Sequence, residues 1–148
     1  MIFAWDSQTK TATLIREYMP GPNKILHGIA AGLVEEDKHN SSYLTAAQHE
    51  LEEETQLSGG TWYRLLNEGR SMAMDKYMIT EVVVYLVVDA KKVVENPRAL
   101  DEEEDIEIVT GVSVGEIMDM IRDGEMNCIG AFACMLAMEK LRELGELA

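Results

Sequence analysis

Apolar and polar positions alternate in short blocks along the first third of the chain, and those blocks predict strands. Residues 2–5 and 11–18 are apolar-rich and flank Asp6-Ser7-Gln8-Thr9-Lys10, a polar turn segment, so together they predict a hairpin. Pro20-Gly21-Pro22-Asn23 predicts a loop, residues 25–31 a short strand, and residues 32–42 a polar irregular segment. Residues 44–57 predict a helix. Leu44, Ala47 and Leu51 share one apolar stripe, Ser42 or Thr45 can cap the start, and Gly59-Gly60 is the expected stop. Residues 61–66 and 79–88 predict strands, and the second contains Val82-Val83-Val84-Tyr85-Leu86-Val87-Val88, a continuous apolar run typical of a strand covered on both faces. Residues 96–104 form an acidic loop and residues 105–112 an alternating strand. Ser113-Val114-Gly115-Glu116 has capping-box spacing and opens a short helix to about Arg122, which Asp123-Gly124 ends. Asn127 caps a last helix to about Leu144, with Phe132, Met135, Leu136 and Leu141 on or near its apolar face. Strands with one helix among them, then more strands and two helices, predict a mixed sheet packed between helices.

The chain has 148 residues, which fits a single domain spanning residues 1–148, and its apolar fraction of 47% is ordinary for a globular protein. No apolar run reaches the length of a membrane span, and MIFAWDSQTK lacks a basic region followed by an apolar core and a cleavage site, so a cytoplasmic protein is expected. Cys128 and Cys134 lie six apart in a predicted helix and point to different faces, so both are expected to be buried free thiols. There is no C-x-x-C pair, Walker-type loop or G-x-G-x-x-G loop. His27, His39 and His49 are scattered, and His27, in a strand with no nucleophile spaced with it, is expected to be a packed histidine. Met72, Met74 and Met78 are expected to fill gaps in the core, with a pocket wall as the alternative.

The net charge of −14 argues against nucleic-acid polymers and anionic membranes as partners. An anionic small molecule remains compatible, provided that a cation stands between it and the protein. The helix offers ligands for one. In His49-Glu50-Leu51-Glu52-Glu53-Glu54-Thr55, Glu50, Glu53 and Glu54 fall within a sector of ~100°, while Glu52 points to the opposite side. Glu50 and Glu54 form a like-charge pair one turn apart, which costs about 0.2–0.5 kcal/mol even when exposed. Gathered carboxylates suit a hard cation such as Mg²⁺, with Mn²⁺ as a substitute. The plainer alternative is a solvated acidic helix face.

What precedes the helix bears on that choice. Ala31-Gly32-Leu33-Val34-Glu35-Glu36, a polar loop, and then His49-Glu50-Leu51-Glu52-Glu53-Glu54-Thr55-Gln56-Leu57 resemble the Nudix box, a strand-loop-helix motif. Residues 11–32 and the second half of the chain resemble ADP-ribose pyrophosphatase relatives more weakly. The resemblance implies an α/β fold of α+β type, a Nudix-like α/β/α sandwich with a mixed sheet, a metal-binding loop-helix motif and two C-terminal helices. It implies an Mg²⁺-dependent hydrolase that cleaves the diphosphate linkage of ADP-ribose or a nucleotide sugar. Glu50, Glu53 and Glu54, with the carbonyl of Ala31, would hold the metal, and Gly32 would let the backbone approach it. Glu104, with Glu103 next, or Glu53 would act as the base, and Arg16 could face the substrate phosphates. Homodimers are common among such relatives, although this chain begins at the first hairpin, which leaves the dimer mode open.

The sequence departs from the family pattern at several positions. About three extra residues lie between Gly32 and the helix, absorbed by Lys38-His39-Asn40-Ser41-Ser42, so that strict spacing puts Lys38 where a loop glutamate belongs and leaves that role to Glu35 or Glu36. His49 stands for the family's arginine and Gln56 for its glycine after the helix. Gly28 replaces a frequent glutamate, and Met19 a phosphate-binding arginine found in some relatives. These departures leave open a Nudix-fold nucleotide sensor that no longer turns its ligand over, and a generic acidic interaction domain.

Overall fold

The computed structural model describes residues 1–35, 42–99 and 105–148. Strands β1 (Ile2–Asp6) and β2 (Thr11–Met19) form the expected hairpin, with Ala4 opposite Thr13 and Asp6 opposite Thr11. The turn is fixed locally, because the Asp6 carboxylate accepts from the backbone N–H groups of Gln8 and Thr9. β3 (Lys24–Gly28) continues along the same side of β2, and Ala30 then bridges to Ile2, so the strand expected over 25–31 divides in two. Helix α1 (Tyr43–Thr55) follows, with the Ser42 hydroxyl accepting from Thr45 N–H as N-cap. Short strands β4 (Leu57–Ser58) and β9 (Lys91–Lys92) pair with each other, as do β6 (Met72–Ala73) and β7 (Glu81–Val82). β5 (Thr61–Arg64), β8 (Tyr85–Val88) and β10 (Ile106–Val112) complete the main sheet, in the order β10-β2-β1-β8-β5. β1 and β8 run parallel and the other pairs antiparallel, which makes the sheet mixed. Helices α2 (Val114–Arg122) and α3 (Cys128–Glu143) close the chain, and the capping box at Ser113 and Glu116 forms as its spacing predicts.

Period-two alternation sorts the sheet into two faces. From β1, Ile2 and Ala4 join Val83, Tyr85 and Val87 against Ala47 and Leu51 of α1. Phe3 and Trp5 join Leu14, Val84 and Leu86 against α2 and α3. The apolar run at 82–88 is therefore covered on both sides, as expected, although Val83 and Val84 interrupt it between β7 and β8. Leu51 is fully buried, and truncating a leucine in such a place costs roughly 2–5 kcal/mol. Packing, then, anchors α1 and fixes which edge its glutamates present. Among the described residues no helix is long and apolar enough to cross a membrane.

Three local expectations need correction. Helix α1 does not run on to Gly59-Gly60. It ends at Thr55, and Gln56 itself takes the left-handed cap conformation (φ 59°), with its N–H bonded to the Glu52 carbonyl. A residue with a Cβ is strained there, so Gln56→Gly should raise stability by about 0.5–1 kcal/mol, read as a higher denaturation midpoint at unchanged slope. On α3 the buried stripe is Gly130, Ala133, Cys134, Ala137, Met138 and Leu141, whereas Phe132 and Met135 face outward. Small residues let α3 lie close on the sheet, an advantage hidden when the largest apolar side chains are taken as the contact face. Cys128 is exposed and only Cys134 is buried, its thiol pushed up to about 12 by burial. A thiol-specific reagent should therefore modify one cysteine in the native protein and two after denaturation. Loss of labelling in Cys128→Ser identifies the reactive one.

Candidate functional site

The chain that leaves β3 passes along the N-terminal end of β1, where Ile2 N–H donates to Ala30 O (2.7 Å), and runs directly against α1. There Ala31 N–H donates to Glu54 Oε2 (2.8 Å). Glu54 is only 5% exposed, a rare position for a carboxylate. One turn earlier on the same edge, the Glu50 carboxylate fills the space beside Gly32. A Cβ built on Gly32 would lie 1.9 Å from Glu50 Cδ. Any other residue at 32 would displace that carboxylate, so the missing side chain is the reason Glu50 can sit there.

Glu53 is placed differently. Its carboxylate lies 3.7 Å from the Arg98 guanidinium, and Glu52, expected on the opposite side, shares that arginine at 3.9 Å while accepting from Arg98 N–H (3.1 Å). The pairing is partly exposed and worth no more than about 1 kcal/mol, so it positions Arg98 without fixing Glu53 firmly. Among the described residues no three acidic, histidine or cysteine side chains converge into a ready metal cage. Glu50 and Glu54 still fit a hard divalent ion, because Mg²⁺ typically takes one or two carboxylates and completes its shell with water and substrate phosphates. The Glu50 carboxylate seated beside Gly32 and the buried carboxylate of Glu54 are the features that such an ion would use.

Ala31, Gly32 and Glu50 form one side of a cavity of about 700 Å³, within the usual range for small-molecule sites. Tyr43, Met74, Ile79 and Tyr85 contribute to its other walls. The tyrosines went unmarked in the sequence, since a tyrosine in a first helical turn or in an apolar strand carries no spacing signal. Burial raises the Tyr85 hydroxyl, and the neighbouring Arg64 charge opposes that shift. The Met1 ammonium also borders the cavity. It donates to Val83 O (2.9 Å), and burial lowers it to about 6 against the pull of Glu54 and Glu50. Met74 is a wall residue and Met78 is half exposed, so neither fills the core. Arg16 lies outside the cavity wall and pairs with Glu107 across β2 and β10 (2.9 Å). His27 packs as expected, half-buried and strapped to residues 125–127. Gly28 faces Asn127, the N-cap of α3, whose Nδ2 would lie 2.9 Å from an added Cβ. Glu36, Lys38, His39, Glu103 and Glu104 lie outside the described residues.

A mixed sheet between α1 and the α2–α3 pair, with a loop pressed onto the glutamate edge of α1, is a Nudix-like fold. A solved structure that shares it is described as the crystal structure of ADP compounds hydrolase, which matches at 23% identity and a TM-score of 0.77 over 99% of this chain and 74% of that one. The likeness is one of fold. No protein-family model matches the chain, and no curated protein matches it either.

Proposed function

We propose that the protein is a divalent-metal-dependent hydrolase that cleaves the diphosphate linkage of a nucleoside diphosphate conjugate, ADP-ribose or a nucleotide sugar, to a nucleoside monophosphate and a phosphorylated moiety. The observation that carries this reading is the Glu50–Glu54 edge of α1 pressed against Ala31 and Gly32 at the wall of a substrate-sized cavity. Glu50, Glu53, Glu54 and the Ala31 carbonyl are the candidate ligands for Mg²⁺ or Mn²⁺. When bound, the ion polarises a phosphoryl oxygen and neutralises the diphosphate. In this reading Glu54 clamps the loop through Ala31 N–H, and Glu50 reaches the cavity over Gly32. Water attacks one phosphorus, the bridging P–O bond breaks, and Glu53 or one of the loop residues Glu104 and Glu103 accepts the water's proton. The resemblance in sequence and the shared fold lend this reading support, and with it come a cytoplasmic location and a homodimer.

Incubation with ADP-ribose and a panel of nucleotide sugars, analysed for released monophosphate, tests the reading. Product with Mg²⁺ and none after chelation is expected. A panel that yields no product with either Mg²⁺ or Mn²⁺ sinks it. A nucleotide sensor is the second reading, favoured by the engagement of Glu53 with Arg98 and by His49 in the place of an arginine. Binding of ADP-ribose with Mg²⁺ in calorimetry without product would select it.

A further inference from the structure

Glu53 stands about 60° round α1 from Glu50 and about 100° from both Glu52 and Glu54, so its side chain can lean toward the Glu50–Glu54 edge or toward Glu52. A cation decides between the two. The Arg98 guanidinium lies 3.7 Å from Glu53 Oε1 and 3.9 Å from Glu52 Oε2, on the flank of the helix turned away from Glu54. Main-chain contacts deliver it there. Leu57 pairs with Lys92, Val93 N–H donates to Gln56 O (2.8 Å), and Arg98 N–H donates to Glu52 Oε1 (3.1 Å), so the segment that carries Arg98 is laced to the end of α1 by bonds that do not involve the guanidinium. A divalent ion at Glu50 and Glu54 would draw Glu53 the other way, toward the edge. Two cations then contend for one carboxylate. The guanidinium keeps its charge at any ordinary pH, and its pairing with Glu53 is partly exposed and weak enough to yield.

We infer that Arg98 is a positioning residue that competes with the divalent ion for Glu53 and thereby weakens ion binding at the Glu50–Glu54 edge. The inference rests on the reading that this edge takes a divalent ion. With Glu53 withheld, two carboxylates face the ion, and the rest of its shell is left to water and to the phosphates of a substrate.

Titration of the full chain with Mn²⁺, the free ion being read by its electron paramagnetic resonance signal, tests this without any turnover. Arg98→Gln keeps the backbone N–H that bonds to Glu52 and removes the charge. It should tighten Mn²⁺ binding about threefold, the scale of a partly exposed ion pair. Arg98→Lys keeps the charge and should bind as the wild type does. In a Glu53→Gln background the effect of Arg98→Gln should all but vanish, because the contested charge is gone. Thermal melting without metal checks that each variant is folded. An arginine that served only to hold the segment in place would lower the melting temperature on substitution and would not tighten ion binding. Unchanged or weaker binding in Arg98→Gln, equal tightening in Arg98→Lys, or a tightening that persists in full with Glu53→Gln overturns this inference and leaves the metal reading standing. A wild type that binds no Mn²⁺ overturns both. Monophosphate release is a separate readout, whose absence in a chain that binds Mn²⁺ as expected sinks hydrolysis alone.

Discussion

Glu54→Gln should leave the protein folded, abolish its stabilisation by Mg²⁺ and lower hydrolysis on the order of 100-fold or more. Glu54 is 5% exposed and accepts Ala31 N–H through one oxygen. The glutamine amide oxygen accepts the same bond at the same length of side chain, so the loop stays attached to α1. What disappears is a buried negative charge. Its removal relieves the like-charge contact with Glu50 one turn earlier on the helix, so the metal-free variant should melt at or above the wild-type temperature. With Mg²⁺ the order should reverse, because an ion that binds only the folded state stabilises it in proportion to RT ln(1 + [L]/Kd). Two melting curves for each protein, with and without Mg²⁺ at matched ionic strength, read this directly, and a monophosphate assay reads the rate. A wild type that gains nothing from Mg²⁺, or a variant that hydrolyses at the wild-type rate, would remove the metal from the account of this site.

Much of this architecture was legible because it follows from local rules. Strand alternation at residues 2–5, the apolar run at 82–88 and the caps at Ser113 and Asn127 each depend on neighbouring residues, and each is formed. The short pairs β4–β9 and β6–β7 were not legible, since two-residue strands carry no periodicity; β4 and β9 pair only because distant segments meet, whereas β6 and β7 close a local loop. The site divides in the same way. Helical geometry places Glu50 and Glu54 on one edge, but the partition between that pair and Glu53 depends on Arg98, which arrives from a segment more than forty residues later. Gln56 misled for the converse reason. A left-handed cap favours glycine, and the rule looked past a glutamine to the next glycines, whereas tertiary pairing of Leu57 with Lys92 forces the turn one residue after the helix. Gly28 likewise has a packing cause, the Asn127 cap, which stands beside any functional meaning of its departure from the family pattern.

Gly32→Ala should separate activity from stability at the same site. The added Cβ would fall 1.9 Å from Glu50 Cδ and 2.0 and 2.3 Å from its two oxygens, so the carboxylate must leave. It lies at the far end of a flexible side chain, and φ at Gly32 is not in the left-handed region, so the backbone tolerates alanine and the fold should lose no more than about 1 kcal/mol. Hydrolysis should fall at least about tenfold, because displacement of a charged ligand costs metal affinity and orientation together. Gly28→Ala provides the contrast. Its Cβ would press on the Asn127 amide, which caps α3 by accepting Gly130 N–H (2.6 Å), and a weakened cap costs about 1 kcal/mol. That variant should lose stability and keep its rate. If alanine at 32 left the rate intact while alanine at 28 lowered it, the centre of the chemistry would lie at the β3–α3 junction, and the Glu50 edge would be no more than a structural acidic face.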